Sequence, residues 1–206
     1  MNRVLDVSGL SRAFGSKQVV TDLSLALDEG ERVALRGPNG SGKTTILRCI
    51  TGAVIPDAGE ITVRGHPAGS MGARHLLGVS LSQERSFYMR LTGLDNLLFF
   101  ARLRHSTQAR AMRDVRALEE ELEIAHILQE RLDRCSTGML QQLAFARAML
   151  GSPSVFLLDE PTRSLDTGAV GRVWDAVERR AETAVLIATH REDDLDHCHS
   201  QIDLGA

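Results

Sequence analysis

The chain has 206 residues, 43% of them hydrophobic and 25% charged, with a formal net charge of −3. That suits one globular domain, or one core with a small appended subdomain, and is long enough to bury a sizeable core. No global basic field points to nucleic acid. Cys49, Cys135 and Cys198 are isolated and odd in number, which argues against a disulfide framework and fits a reducing compartment. The opening "MNRVLDVSGLSRAF" has no long apolar stretch, so no signal peptide is expected. The runs "VFLL" and "LLFFA" are too short to span a bilayer, so the chain is not itself a channel, although it can sit against a membrane.

In chain order, "RVLDVSGL" and "QVVTDLSLAL" alternate apolar and polar residues as half-buried strands do. "ERVALRG" reads as a buried strand entering a loop, and "KTTILRCITGAV" has helical spacing with Ile46, Leu47 and Ile50 on one face. "IPDAGEITVRG" reads as a turn and a strand, and "LLGVSLSQ" as a further strand. From about Leu91 to Arg134 the chain turns helical and charge-rich. This defines an expected helical subdomain, about 91–134, inserted into a core of about 1–90 and 135–206 within a single domain. "SPSVFLLDE" and "AVLIATH" are expected buried strands around the helix "GAVGRVWDAVERRAET", and "SQIDL" is a short last strand. Alternating strands and helices imply an α/β fold with a mostly parallel sheet and helices on both faces.

The segment Gly37-Pro38-Asn39-Gly40-Ser41-Gly42-Lys43-Thr44, followed by Thr45, fits the P-loop pattern G-x-x-x-x-G-K-[ST] without departure. A strand is expected before it and a helix after it. Glycines let the backbone curl with its N–H groups inward, and those donors join the helix N-terminus in holding phosphate oxygens. Lys43 can neutralise the β and γ phosphates, and Thr44 can ligate Mg²⁺. At the end of "VFLLDE", Asp159 can hold Mg²⁺ through water, and Glu160 can orient and polarise a water for attack on the γ-phosphoryl group.

With these motifs the chain resembles the nucleotide-binding subunits of ABC transporters, over essentially its whole length and in the family's motif order. "SLSQERS" looks like the Q-loop, whose Gln83 senses Mg²⁺ and the attacking water. "CSTGMLQQLAFARA" looks like the signature segment. Ser164-Leu165-Asp166 looks like the D-loop, His190 in "ATH" matches the switch histidine, and Phe14 is placed like the aromatic that stacks on adenine. The signature reads Cys135-Ser136-Thr137-Gly138-Met139 where the family usually has L-S-G-G-Q; Ser136 and Gly138, the positions that face the γ-phosphate, are kept. This variant is similar to the signature of bacterial export systems with a separate membrane subunit. Ser136 is also a good N-cap for the helix that follows.

The resemblance implies a P-loop NTPase core with a small antiparallel β-subdomain and an inserted helical subdomain. It further implies ATP and Mg²⁺ as cofactors and a head-to-tail homodimer with ATP at the interface. The expected partner is an integral-membrane transporter subunit, with the chain cytoplasmic and peripheral on the inner face of the membrane. No nucleic acid is expected. The segment "ERSFYMRLTG" carries Phe87, Tyr88, Met89 and Leu91, a candidate groove for a partner's helix or simple packing of the subdomain on the core. "DHCHSQ" invites a zinc reading, but His197, Cys198 and His199 are adjacent on an extended stretch and lack a second ligand pair. A soluble ABC-type ATPase outside transport is the competing function; such relatives usually carry long insertions or two fused cassettes.

Overall fold

The computed structural model describes residues 2–81, 86–105 and 107–205. Two sheets and eight α-helices are seen among them. The long strands β1 (Arg3–Phe14) and β2 (Lys17–Asp28) pair as an antiparallel hairpin. On its other edge β1 takes β4 (Ala58–Val63), and β4 takes the two-residue β5 (His66–Pro67). The second sheet is wholly parallel, in the order β6 (Leu77–Ser80), β7 (Val155–Asp159), β8 (Ala184–Ala188), β3 (Arg32–Arg36), β9 (Ser200–Asp203). The alternating patterns of β1 and β2 therefore belong to a separate antiparallel layer with one buried face, and the unbroken apolar runs of β7 and β8 belong to the parallel sheet.

Those runs are continuous because both faces of the sheet are covered. Phe156, Leu158, Val185 and Ile187 point into one core with α3 (Gly93–Arg104), α4 (Gln108–Leu122), α5 (Ala125–Gln129), α6 (Thr137–Met149) and α7 (Thr167–Glu178). Val155, Leu157, Ala184 and Leu186 point into the other, which holds α1 (Lys43–Ile50) and the buried face of the antiparallel sheet. Each fully buried Leu or Ile contributes about 1.5–3 kcal/mol relative to exposure, so the sheet is held from both sides at once. α1 is thereby wedged between the two sheets, which fixes the loop that precedes it.

The stretch 91–134 holds α3, α4, α5 and a 3₁₀ turn at Leu132–Arg134, and its buried residues join the same cluster as α6, α7 and the sheet. The run "ARAMRDVRALEEELEIAHILQERL" holds two helices, α4 and α5: Glu123 takes the left-handed conformation (φ 55°) and ends α4. Side chains tie this segment to the core at two places. Arg104 donates to the carbonyls of Arg74, His75 and Leu77, where α2 (Met71–Leu76) meets β6. Glu121 receives Arg179 and Arg180, just beyond α7. The short α2 and α8 (Glu192–Leu195) were not legible in the sequence, being too brief for a periodic pattern.

Candidate functional site

Parallel strands point the same way, so the loops after β3, β7 and β8 emerge together at the carboxyl edge, the usual ligand edge of such sheets. They line a cavity of about 790 Å³ with Asn39, Gly40, Gly42, Lys43, Thr44, Thr45, Asp159, Glu160 and His190. Phe14, Lys17 and Val19 close it from the antiparallel sheet, and Arg163 and Arg191 complete the wall.

α1 begins without a side-chain cap and with no acidic residue in its first turn. Its N-cap is Gly42 at φ 97°, where a Cβ would lie 2.8 Å from the Val19 carbonyl oxygen, so the close approach of β2 demands glycine. The first amides of the helix are left for an anion. Lys43 is 8% exposed and curls back on its own loop, its Nζ donating to the carbonyls of Gly37 at 2.5 Å and Pro38 at 3.0 Å. Ser41 Oγ is buried and finds no protein partner. A cradle of free amides, a held ammonium and an orphaned hydroxyl fits a polyphosphate.

Thr44 Oγ1 donates to Asp159 Oδ2 at 2.8 Å, joining the start of α1 to the end of β7. A hydroxyl and a carboxylate together are hard oxygen donors of the kind Mg²⁺ takes. Next along the chain, Glu160 stands in the left-handed region (φ 51°), a conformation unusual for glutamate and held by its N–H on the Ala188 carbonyl at 2.8 Å. Gln141 of α6 donates to the carbonyls of Glu160 and Pro161. Glu160 Oε1 meets His190 Nδ1 at 2.6 Å, while Oε2 is buried without a partner.

Phe14 ends β1 with 47% of its surface exposed, and the Arg12 guanidinium lies 4.7 Å from its ring centroid. The ring is therefore open on one side for a planar group. Gln83 lies outside the described residues.

Ser136 and Gly138 are not part of this cavity wall. Ser136 is exposed and caps α6 by accepting from the Met139 N–H at 3.2 Å. Gly138 packs on the Ser164 carbonyl oxygen, 2.6 Å from where its Cβ would stand. Ser164 has φ 66°, Leu165 is half-buried, and Asp166 caps α7 by accepting from the Ala169 N–H at 2.9 Å. That backbone donor holds the Asp166 carboxyl below the ordinary carboxylate range. Phe87 turns inward, edge-on to Phe100 and under the Arg147 guanidinium, whereas Tyr88 and Phe99 meet at 5.1 Å with 50% and 42% of their surfaces exposed. Phe99 was not legible as a surface residue, because "LLFF" within a helix does not say which side faces out.

A P-loop on a strand–loop–helix unit, a strand-end aspartate paired with its threonine, and a glutamate–histidine pair define a P-loop nucleotide-binding protein. A family model described as ABC transporter matches residues 20–163, and the chain belongs to that family. The family's ATP-binding domains are ATPases. An uncharacterized ABC transporter ATP-binding protein of Bacillus subtilis, YdbJ, is 35% identical over 192 residues, 91% of this chain and 61% of the relative. The Nod factor export ATP-binding protein I of Rhizobium sp. (strain N33) is 35% identical over 191 residues, 90% of this chain and 62% of the relative. This chain thus spans less than two thirds of the length of either relative. A solved ATP-binding subunit of an ABC transporter superposes with a TM-score of 0.87 at 27% identity, covering 97% of this chain and 85% of that one. No helix among the described residues is long and apolar enough to cross a membrane.

Proposed function

We propose that the chain binds and hydrolyses ATP and couples that cycle to a separate integral-membrane transporter subunit, in the export direction. The observation that carries the reading is the Glu160–His190 contact beside the Thr44–Asp159 pair, at the mouth of the P-loop cradle. In this reading the backbone from Gly37 to Thr45 and the ammonium of Lys43 hold the phosphates, and Phe14 stacks on the adenine. Thr44, Asp159 and Gln83 hold Mg²⁺, which when bound offsets the charge of the β and γ phosphates. Glu160 orients the attacking water and takes its proton through the carboxylate, and His190 holds the γ-phosphate side of the site and keeps Glu160 aimed.

The exposed amino end of α6, with Ser136 and Gly138, lies outside the cavity wall and is free to cover a nucleotide held by a second copy. This supports a head-to-tail homodimer with two ATP molecules at its interface and the loop Ser164–Asp166 at the seam. Isologous contact of this kind completes both sites at once. Residues 91–134 act as a helical subdomain, with the membrane subunit seated beside Tyr88 and Phe99. The chain then works on the cytoplasmic face of the membrane. The export direction is supported by the name of the Rhizobium relative.

The test is Mg-ATP hydrolysis by the purified chain with nucleotide binding measured alongside. Wild type turning over ATP, with Lys43→Ala binding it at least about tenfold more weakly, supports the reading. Unchanged affinity in Lys43→Ala would overturn the cradle assignment.

A further inference from the structure

Asp194 is 0% exposed, and nothing in the cycle above uses it. Its carboxylate accepts from two threonine hydroxyls that are themselves fully buried. Thr162 Oγ1 reaches Oδ1 at 2.8 Å and Oδ2 at 2.9 Å; Thr189 Oγ1 reaches Oδ2 at 2.8 Å. Thr162 lies two residues after Glu160 on the way out of β7, and Thr189 directly precedes His190 on the way out of β8. One carboxylate therefore grips both chain exits that carry the glutamate–histidine pair. Burying a carboxylate is costly unless its oxygens are bonded, and here the donors come from those two exits.

The backbone explains why a clamp is needed. Glu160 sits at φ 51°, and its N–H on the Ala188 carbonyl is the last backbone hydrogen bond between the two exits among the described residues, so past it no ladder bond sets the spacing of Thr162 and Thr189. The Arg191 N–H donates to Thr189 Oγ1 at 3.1 Å, so that hydroxyl is oriented from one side to donate to Asp194 from the other.

We propose that Asp194 is a positioning residue for hydrolysis, whose buried carboxylate sets the spacing of Glu160 and His190 by tying Thr162 to Thr189. The inference rests on the ATPase reading above. Asp194 does not reach the cavity wall, so its action is through Glu160 and His190 and not on the nucleotide.

The experiment compares wild type, Asp194→Asn, Asp194→Ala and the shape-preserving pair Thr162→Val, Thr189→Val. Each is measured for ATP turnover at saturation and for equilibrium binding of a non-hydrolysable ATP analogue. The clamp predicts kcat lowered about tenfold to a hundredfold with analogue affinity essentially unchanged, the alanine and double-valine forms falling furthest. It also predicts that Asp194→Asn adds no further loss in single-turnover assays when Glu160 is already Gln, because the group being aimed is gone. A merely structural role would lower affinity and rate together, or add its full loss in the Glu160→Gln background, and either result overturns the proposal. The valine pair, which keeps Asp194 in place, answers should the Asp194 variants not fold. Wild-type hydrolysis with undiminished kcat in all variants sinks this inference alone; a wild type without hydrolysis sinks the ATPase reading with it.

Discussion

His190 Nδ1 stands 2.6 Å from Glu160 Oε1, so two residues thirty apart in sequence share one contact at the end of adjacent strands. The histidine side chain is 62% exposed and the glutamate 9%, which leaves the imidazole reachable from the cavity and the carboxylate shielded. Glu160→Gln preserves the shape and removes the base. Hydrolysis is expected to fall by about 10²–10⁴-fold with ATP affinity retained, read by phosphate release and equilibrium nucleotide binding. Wild-type turnover in that variant would refute the assignment of Glu160.

The pairing of Gly138 with Ser164 sets a second expectation. A methyl at 138 would come within 2.6 Å of the Ser164 carbonyl oxygen, so the loop Ser164–Asp166 must shift. Gly138→Ala is expected to cost about 1–3 kcal/mol of stability by overpacking and to lower ATP turnover. Denaturant unfolding beside a turnover assay checks both, and an unaltered variant would show that the loop yields freely.

Tyr88 and Phe99 form an exposed edge-to-face pair, while Phe87 is packed beneath Arg147. Tyr88→Glu with Phe99→Glu should therefore leave the fold intact and abolish capture of a multi-spanning protein from native membranes, using tagged Glu160→Gln with Mg-ATP as bait. Capture of only soluble proteins by the unmodified bait would favour a role outside transport.

Glu121 is held below the ordinary carboxylate range first by its hydrogen bond to Arg180, then by the charges of Arg180 and Arg179. Because the folded value is depressed, its stabilisation is complete above the unfolded value of about 4.3 and is lost as pH falls through the folded value. Stability measured against pH should decline below about pH 4.5, and Glu121→Gln should flatten part of that decline at a cost of up to about 1 kcal/mol at neutral pH. An identical acid limb in the variant would show that the contact between α4 and the end of α7 carries no such linkage.

The Cys198 thiol is pushed up to about 11 by burial and by the nearby Asp194 carboxylate. Alkylation of Cys198, followed by site-resolved mass spectrometry, should be slow at neutral pH and rise about tenfold per pH unit from 7 to 9 without levelling. A plateau near pH 9 would indicate an ordinary, solvated thiol.

The sequence by itself determined the glycine-rich loop between a strand and a helix, the carboxylates at the end of β7 and the order of the longer strands and helices along the chain. These rest on local rules: glycine at a tight turn, lysine and threonine at a helix start, apolar runs for strands covered on both faces. It also carried Ser136 as a helix cap, since capping is a matter of three neighbouring residues. Only the tertiary structure decided which strands share a sheet, because β1 and β2 alternate as well in a separate antiparallel layer as at a parallel edge. It alone sorted Phe87 inward and Tyr88 outward, brought Arg163 and Arg191 to the cavity, and set Gly138 on Ser164. Asp194 was the least legible, since nothing in the charged run "REDDLD" marks it out from the acids beside it. Its burial follows from Thr162 and Thr189 arriving from the loops that leave two different strands, and a contact made between such loops has no period or spacing in the chain by which it could be read.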